Sequence, residues 1–347
     1  MIQELMLKFP HLPEKIFQKL NIQSLFKCRE VARSWQDIIN GRNYPWLRIV
    51  NIPSILSTRN SYLHQAAATG QIEVFKTAFK QEEDKNTKNI NEETVFHIAC
   101  NNGCFEIVQL LLNSIDMEIN VSAKENCARK PNFYLSCQRG NLAVFKISME
   151  NPSPLSIDIN AKTNSGLTAL HLACYKGFSD VIKILLEYEA LLSIDLNAKD
   201  DYGASGFFWG CHHGQTGVVE TFMENAANLG IDLNAGDIDD RTGFHAACEQ
   251  GHANVVRIFM KNAATLRIDL NARINLCGFT GFHLACRRGQ LEVVKIFLEN
   301  AAALSIDLNR KGYDGTTAFF LAYRKGHSDV VKILMDNAAT FNIDLQV

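Results

Sequence analysis

The side chains best suited to chemistry in this chain are its ten cysteines and ten histidines. Thiolates and imidazoles could hold zinc, and paired thiols could form disulfides. Spacing decides between these uses and a structural one. Six cysteines, Cys100, Cys137, Cys174, Cys211, Cys248 and Cys286, recur at 37 or 38 residues. A tetrahedral metal site needs donors that converge, whereas one thiol per copy lies on parallel turns. These cysteines therefore read as small buried hydrophobes. Cys211-His212-His213 looks ligand-like in isolation, but Cys211 belongs to the periodic set, so no zinc site is expected there. His64, His97, His171, His245 and His283 are periodic too, and Tyr134, Phe208 and Phe320 occupy the same slot. Phenylalanine cannot replace a catalytic base, but it can replace a packing residue. No Gly-rich phosphate loop, nucleophile elbow or two-His zinc helix appears. The expectation is a non-enzymatic protein with no metal and no cofactor.

The elements that carry these residues repeat. A small residue, two variable residues and then glycine recur at Gly70, Gly103, Gly140, Gly177, Gly214, Gly251, Gly289 and Gly326, at intervals of 33 to 38 residues. A second marker keeps phase with the first. It is Ile157-Asp158-Ile159-Asn160, then Ile-Asp-Leu-Asn ending at Asn197, Asn234, Asn271 and Asn309. Within one copy, Thr168 to Cys174 has helical apolar spacing, and Gly177 follows where a left-handed cap is needed. Ser179 to Leu186 starts a second helix. Helices this short bury their apolar faces only by stacking on neighbouring copies. The predicted fold is all-α, a solenoid of helix–turn–helix–hairpin units. The repeated Asp-Leu-Asn is expected to satisfy hairpin backbone groups.

The pattern resembles the ankyrin repeat over residues 61–347, in eight copies. Thr168-Ala169-Leu170-His171 carries the resemblance, as do Thr280-Gly281-Phe282-His283, Thr94-Val95-Phe96-His97 and Thr242-Gly243-Phe244-His245. The chain departs from the family in lacking the motif proline and in its longer period, whose extra residues are placed after the second helix. Glu92, Arg129 and Asp240 stand where the hairpin glycine belongs, so those three fingers are expected to be distorted.

Residues 1–50 do not repeat, and 51–60 read as a linker. Leu12-Pro13-Glu14 opens a helical run with Ile16, Phe17 and Leu20 on one face. Ser24 can cap a second helix bearing Leu25, Phe26, Cys28, Val31 and Ala32, and Trp35 and Trp46 follow. So short an apolar segment needs a partner or the first repeat to cover it. It resembles an F-box, from its Leu-Pro start through Val31-Ala32-Arg33-Ser34-Trp35, although Ala32 replaces the family's cysteine. The bland alternative is a helical cap on the solenoid. The resemblance implies a Skp-type adaptor and the cullin–RING ubiquitin ligase called SCF as partners. Leu12, Pro13, Ile16, Phe17, Leu20, Leu25 and Val31 would then fill the adaptor's groove.

Joined, the two resemblances imply a substrate receptor, with a non-degradative scaffold or decoy as the alternative. A pathogen effector acting in host cytoplasm is a variant of the first. The family's usual contact positions select Tyr202, His212, His213, Leu276, Phe279, Arg287, Arg288, Tyr313, Arg324 and Lys325 as candidate substrate contacts. The four basic residues beside Phe279 and Tyr313 suggest an acidic or phosphorylated segment in the target. The formal charge of -2 gives no reason to expect nucleic acid or an anionic membrane as partner. No run of 18 apolar residues and no secretory leader is read, so the chain is expected in the cytoplasm, with the nucleus also open to it.

Overall fold

The computed structural model describes residues 62–81, 84–114, 136, 140–151 and 158–346. The segment expected at 1–50, the linker at 51–60 and most of the third copy, with Tyr134, Cys137 and Arg129, lie outside the described residues. The chain divides into two compact units, Met1–Ile147 with Asn151–Ser156, and Ser148–Glu150 with Ile157–Val347.

In the first unit, α1 (Tyr62–Thr69) and α2 (Ile72–Gln81) form one antiparallel pair, and α3 (Val95–Asn102) and α4 (Phe105–Leu112) form the next. Helix α1 packs on α3, and α2 on α4. A further helix, α5 (Leu142–Glu150), belongs to this unit as far as Ile147 and buries Val144, Phe145 and Ile147 there.

The second unit holds five copies. Its first helices are α6 (Ala169–Lys176), α9 (Gly206–His212), α11 (Gly243–Gln250), α13 (Gly281–Arg288) and α15 (Ala318–Arg324). The matching second helices are α7 (Ser179–Glu187), α10 (Thr216–Leu229), α12 (Ala253–Leu266), α14 (Leu291–Asn300) and α16 (Ser328–Asp336). Short helices α8 (Glu189–Leu192) and α17 (Ala338–Phe341) follow α7 and α16. First helices pack on first helices and second on second, copy after copy. All described helices fit an ankyrin-type helical solenoid, and no strand occurs among the described residues.

The residues beyond a shorter period lie where expected. They prolong the second helix or add a helical turn, and the extension ends at Ser193, Gly230, Arg267, Ser305 or Asn342, all with positive φ. The core between the helix rows is zipped by phenylalanines. Phe207 of α9 lies 5.6 Å from Phe222 and 5.9 Å from Phe259 of the next copy, and Phe244 lies 5.2 Å from Phe259 and 5.8 Å from Phe297. Each such side chain, fully buried, contributes on the order of 2–3 kcal/mol. No copy can make these contacts alone, which is why the stack is the folding unit.

The expected finger distortions are absent at Glu92 and Asp240. The ordinary finger closes with the Asp200 N–H donating to the Ala204 carbonyl at 2.9 Å, around Gly203 at φ 72°. Asn89 donates to Glu93 and Asp237 to Arg241 in the same way, both at 3.0 Å. Glu92 (φ 61°) and Asp240 (φ 57°) simply adopt the left-handed conformation. Such a conformation costs a side-chain-bearing residue roughly 1–2 kcal/mol, less than the closure and stacking it permits.

Candidate protein-binding interface

Three polar ladders hold successive copies in register, and they explain most of the periodic residues. In the first, the Thr168 N–H donates to His171 Nδ1 at 3.1 Å, which leaves the ring hydrogen on Nε2. That nitrogen donates to the Ala204 carbonyl of the following copy at 3.1 Å. His245 does the same between Thr242 (3.2 Å) and Ala272 (2.9 Å), and His64 reaches the Glu93 carbonyl at 3.1 Å. Burial holds His64, His171, His245 and His283 below the ordinary imidazole range, His283 to about 4. Where phenylalanine fills the slot, the cap is reduced to the bond from backbone to hydroxyl: Ser205 accepts from Phe208 N–H and Thr317 from Phe320 N–H. His64, His171 and His245 connect one copy to the next, whereas the buried His283 Nε2 has no hydrogen-bond partner among the described residues and that ring bonds only to Thr280.

The second ladder uses Asp-Leu-Asn, but not within one hairpin alone. The Asp195 carboxylate accepts from the Asn197 N–H at 3.1 Å, a local turn bond. The asparagine instead crosses to the next copy: Asn197 donates to the Gly230 carbonyl at 2.9 Å and accepts from the Asp232 N–H at 2.8 Å. Asn160, Asn234, Asn271 and Asn309 repeat both bonds. Sequence reasoning missed the third ladder. Asn141, Gln215, His252, Gln290 and His327, each just after a turn glycine, donate to carbonyls at the end of the preceding copy's first helix. The shared signal was polar residues able to donate at one phase of the repeat.

Of the periodic cysteines, Cys100, Cys174, Cys211, Cys248 and Cys286 are buried, and none of the described cysteines is in a disulfide. Burial pushes the Cys100, Cys211, Cys248 and Cys286 thiols above their ordinary value, which disfavours the nucleophilic thiolate. No metal-ligating cluster occurs among the described residues.

The candidate contact residues separate into three groups. Tyr202, Leu276 and Tyr313 stand exposed at the finger tips, and Ile238 stands with them. His212 and His213 lie half-buried in an aromatic group on the first-helix ridge. Tyr175 is 4.3 Å from the His213 ring, and Trp209 stacks on His213 at 5.7 Å and donates to Asp200 at 2.8 Å. Burial lowers both imidazole pKa values; Arg241 adds to this at His212, and His212 adds to it at His213.

The third group, expected to form a basic patch beside two aromatics, is smaller than its sequence suggests. Phe279 is only 7% exposed, stacked on His283 at 5.2 Å and packed with Ile274, Leu284 and Leu321, so it is core. The Arg288 guanidinium binds the Glu249 carboxylate at 2.7 Å, and Arg287 is half-buried. Tyr313 lies under the Arg273 guanidinium at 4.5 Å. The exposed cations left for a partner there are Arg324 and Lys325. Leu12, Pro13, Ile16, Phe17, Leu20, Leu25 and Val31 lie outside the described residues.

A helix-pair solenoid with capped turns, linked fingers and an exposed edge is a repeat protein made to present surface. A family model for ankyrin repeats matches residues 63–147, 133–237, 229–299 and 244–346. The chain belongs to the ankyrin-repeat family, and repeats of this kind point to a protein-binding role. No F-box domain is detected. Over 123 residues, 35% of the chain, it is 32% identical to Alpha-latrotoxin-Lg1a of Latrodectus geometricus. The matched stretch spans 9% of that relative's length. No helix among the described residues is long and apolar enough to cross a membrane.

Proposed function

We propose that the chain is a substrate receptor, holding a protein target on its repeats and bringing it through residues 1–50 to a Skp-type adaptor and cullin ligase. The observation that carries the target-binding half is the row of exposed apolar side chains at the finger tips, Tyr202, Ile238, Leu276 and Tyr313. Contiguous exposed apolar surface marks an interaction site. The ligase half is supported by the order and spacing from Leu12-Pro13 to Trp35. The receptor contributes no reacting group. It raises the effective concentration of target lysines near the ubiquitin thioester, which makes the attack quasi-intramolecular.

The test is co-purification of the full chain with the Skp-type adaptor and cullin, beside the Leu12→Ala/Pro13→Ala variant. Binding by the native chain and loss in the variant, with helical content unchanged, is the expected result. Equal binding by both would place the docking residues elsewhere. Binding by neither would favour a second reading, a non-degradative scaffold or decoy. That reading is supported by the position of every exposed candidate contact between residues 202 and 325, inside the repeats.

A further inference from the structure

We infer that the finger-tip row takes a protein segment that is apolar on its contacting face and flanked by lysine or arginine. This inference rests on the target-binding reading above and names the chemistry of the partner. Turn tips ordinarily carry glycine, asparagine, aspartate or serine, which tolerate solvent and the turn backbone. Here four successive tips carry large apolar side chains: Tyr202 is 64% exposed, Ile238 69%, Leu276 83% and Tyr313 61%. Leu276 sits in the finger that, among the described residues, has an extra residue, where Ile274 closes onto Phe279 at 3.0 Å across the longer loop.

The tips are tied to one another. Ile238 N–H donates to the Tyr202 carbonyl at 3.0 Å, Asn275 N–H to Asp239 at 2.9 Å and Tyr313 N–H to Cys277 at 2.9 Å. The four apolar groups therefore stand on a fixed ladder, and a partner meets a preorganised surface with little ordering cost. Copies stacked at helix-packing distances of about 8–10 Å set the row at roughly 30 Å. An extended segment of about nine residues covers that length.

Charge selects the partner's sign. Asp201, Asp239, Asp240 and Asp314 are exposed beside the four apolar groups, and none is in an ion pair among the described residues. No lysine or arginine occupies positions 201–202, 238–240, 275–277 or 313–314. Of the nearby cations, Lys162 donates to the Lys199 carbonyl (2.8 Å) and Lys199 to Gly236 (2.9 Å), Arg241 pairs with Asp237 (2.7 Å), and Arg273 donates to Lys311 (2.8 Å) while covering one face of Tyr313, so carboxylates predominate around Tyr202, Ile238 and Leu276. An apolar edge whose exposed charges are mostly carboxylates favours a basic amphipathic segment and disfavours an acidic one. This is the opposite sign from the segment that Arg287, Arg288, Arg324 and Lys325 suggest in sequence.

The test pans a library of random 12-residue peptides over the immobilised full chain. Enriched peptides are then measured on two variants, Tyr202→Ser/Ile238→Ser/Leu276→Ser/Tyr313→Ser and Asp201→Lys/Asp239→Lys/Asp314→Lys. All seven positions are solvent-facing, and thermal melting checks that both variants fold. The expected peptides combine apolar residues with net positive charge, and their affinity falls at least ten-fold on each variant. Peptides that are acidic, or that bind either variant as well as the native chain, overturn the inference while leaving target binding by the repeats intact. No enrichment at all overturns both.

Discussion

His283→Phe separates the histidine's role as a buried partner of the helix cap at Thr280 from any role as a proton carrier. The ring is buried, the Thr280 N–H donates to its Nδ1 at 3.2 Å, and burial lowers its pKa from 6.5 to about 4. Between those two values the unfolded chain binds a proton that the folded chain refuses. Stability then rises with pH across this window and is fully present above 6.5. The interval between 6.5 and about 4, at about 1.4 kcal/mol per pH unit, makes about 3 kcal/mol for this one ring. Phenylalanine already fills the slot in Phe208 and Phe320, so the variant has a native precedent for its packing. At pH 7.5 we expect it to lose about 1–2 kcal/mol, the cost of the lost hydrogen bonds. The assay is urea unfolding of the native chain and the variant at pH 7.5, 6.5, 5.5 and 4.5, followed by circular dichroism. The native chain should lose more stability than the variant on acidification, with the gap opening below pH 6.5 and approaching about 3 kcal/mol near pH 4. A parallel pair of stability curves would refute the reasoning, because the ring would then titrate alike folded and unfolded.

Substitutions at two further positions probe the repeat itself. Asn234→Ala removes the donor to Arg267 and the acceptor for Asp269, and should cost about 1 kcal/mol, at the low end for two bonds because the site is exposed to water. Asn234→Asp keeps only the acceptor and should fall between alanine and the native chain in the same unfolding assay. Glu92→Gly relieves a left-handed residue at φ 61° and should raise the stability by up to about 1 kcal/mol, net of the glycine's greater unfolded-state entropy and the exposed Lys88 pair, and with it the unfolding midpoint. A lowered midpoint would mean that the Glu92 side chain holds its finger.

Most of the architecture was legible because it is local and repeated. Thr168 before an apolar helix and Gly177 after it state caps that depend on neighbours a few residues away, whereas the next helix starts at Ser179 with Phe178 as its N-cap residue and no side-chain cap bond. The periodic cysteines and histidines were legible for a related reason: one thiol per copy cannot converge on a metal, and Phe208 and Phe320 in the histidine slot show that it needs packing and no proton carrier. Less legible was the backbone at Glu92 and Asp240. Local propensity argued for distortion there, and stacking on the adjoining copies overrode it.

The sequence by itself determined the period, the helix–turn–helix–hairpin unit, the structural use of the periodic cysteines and histidines, and the finger-tip positions of Tyr202, Leu276 and Tyr313. Only the tertiary structure decided which side chains remain available to a partner. Arg288 meets Glu249 across 39 residues, and Asn197 meets Gly230 across 33. Phe279 turns inward onto His283 while Leu276, three residues earlier, turns outward. The physical reason is the same in each case. A repeat's local pattern sets its backbone, but exposure and charge depend on what the adjoining copy lays against it, and those contacts span a full period of chain.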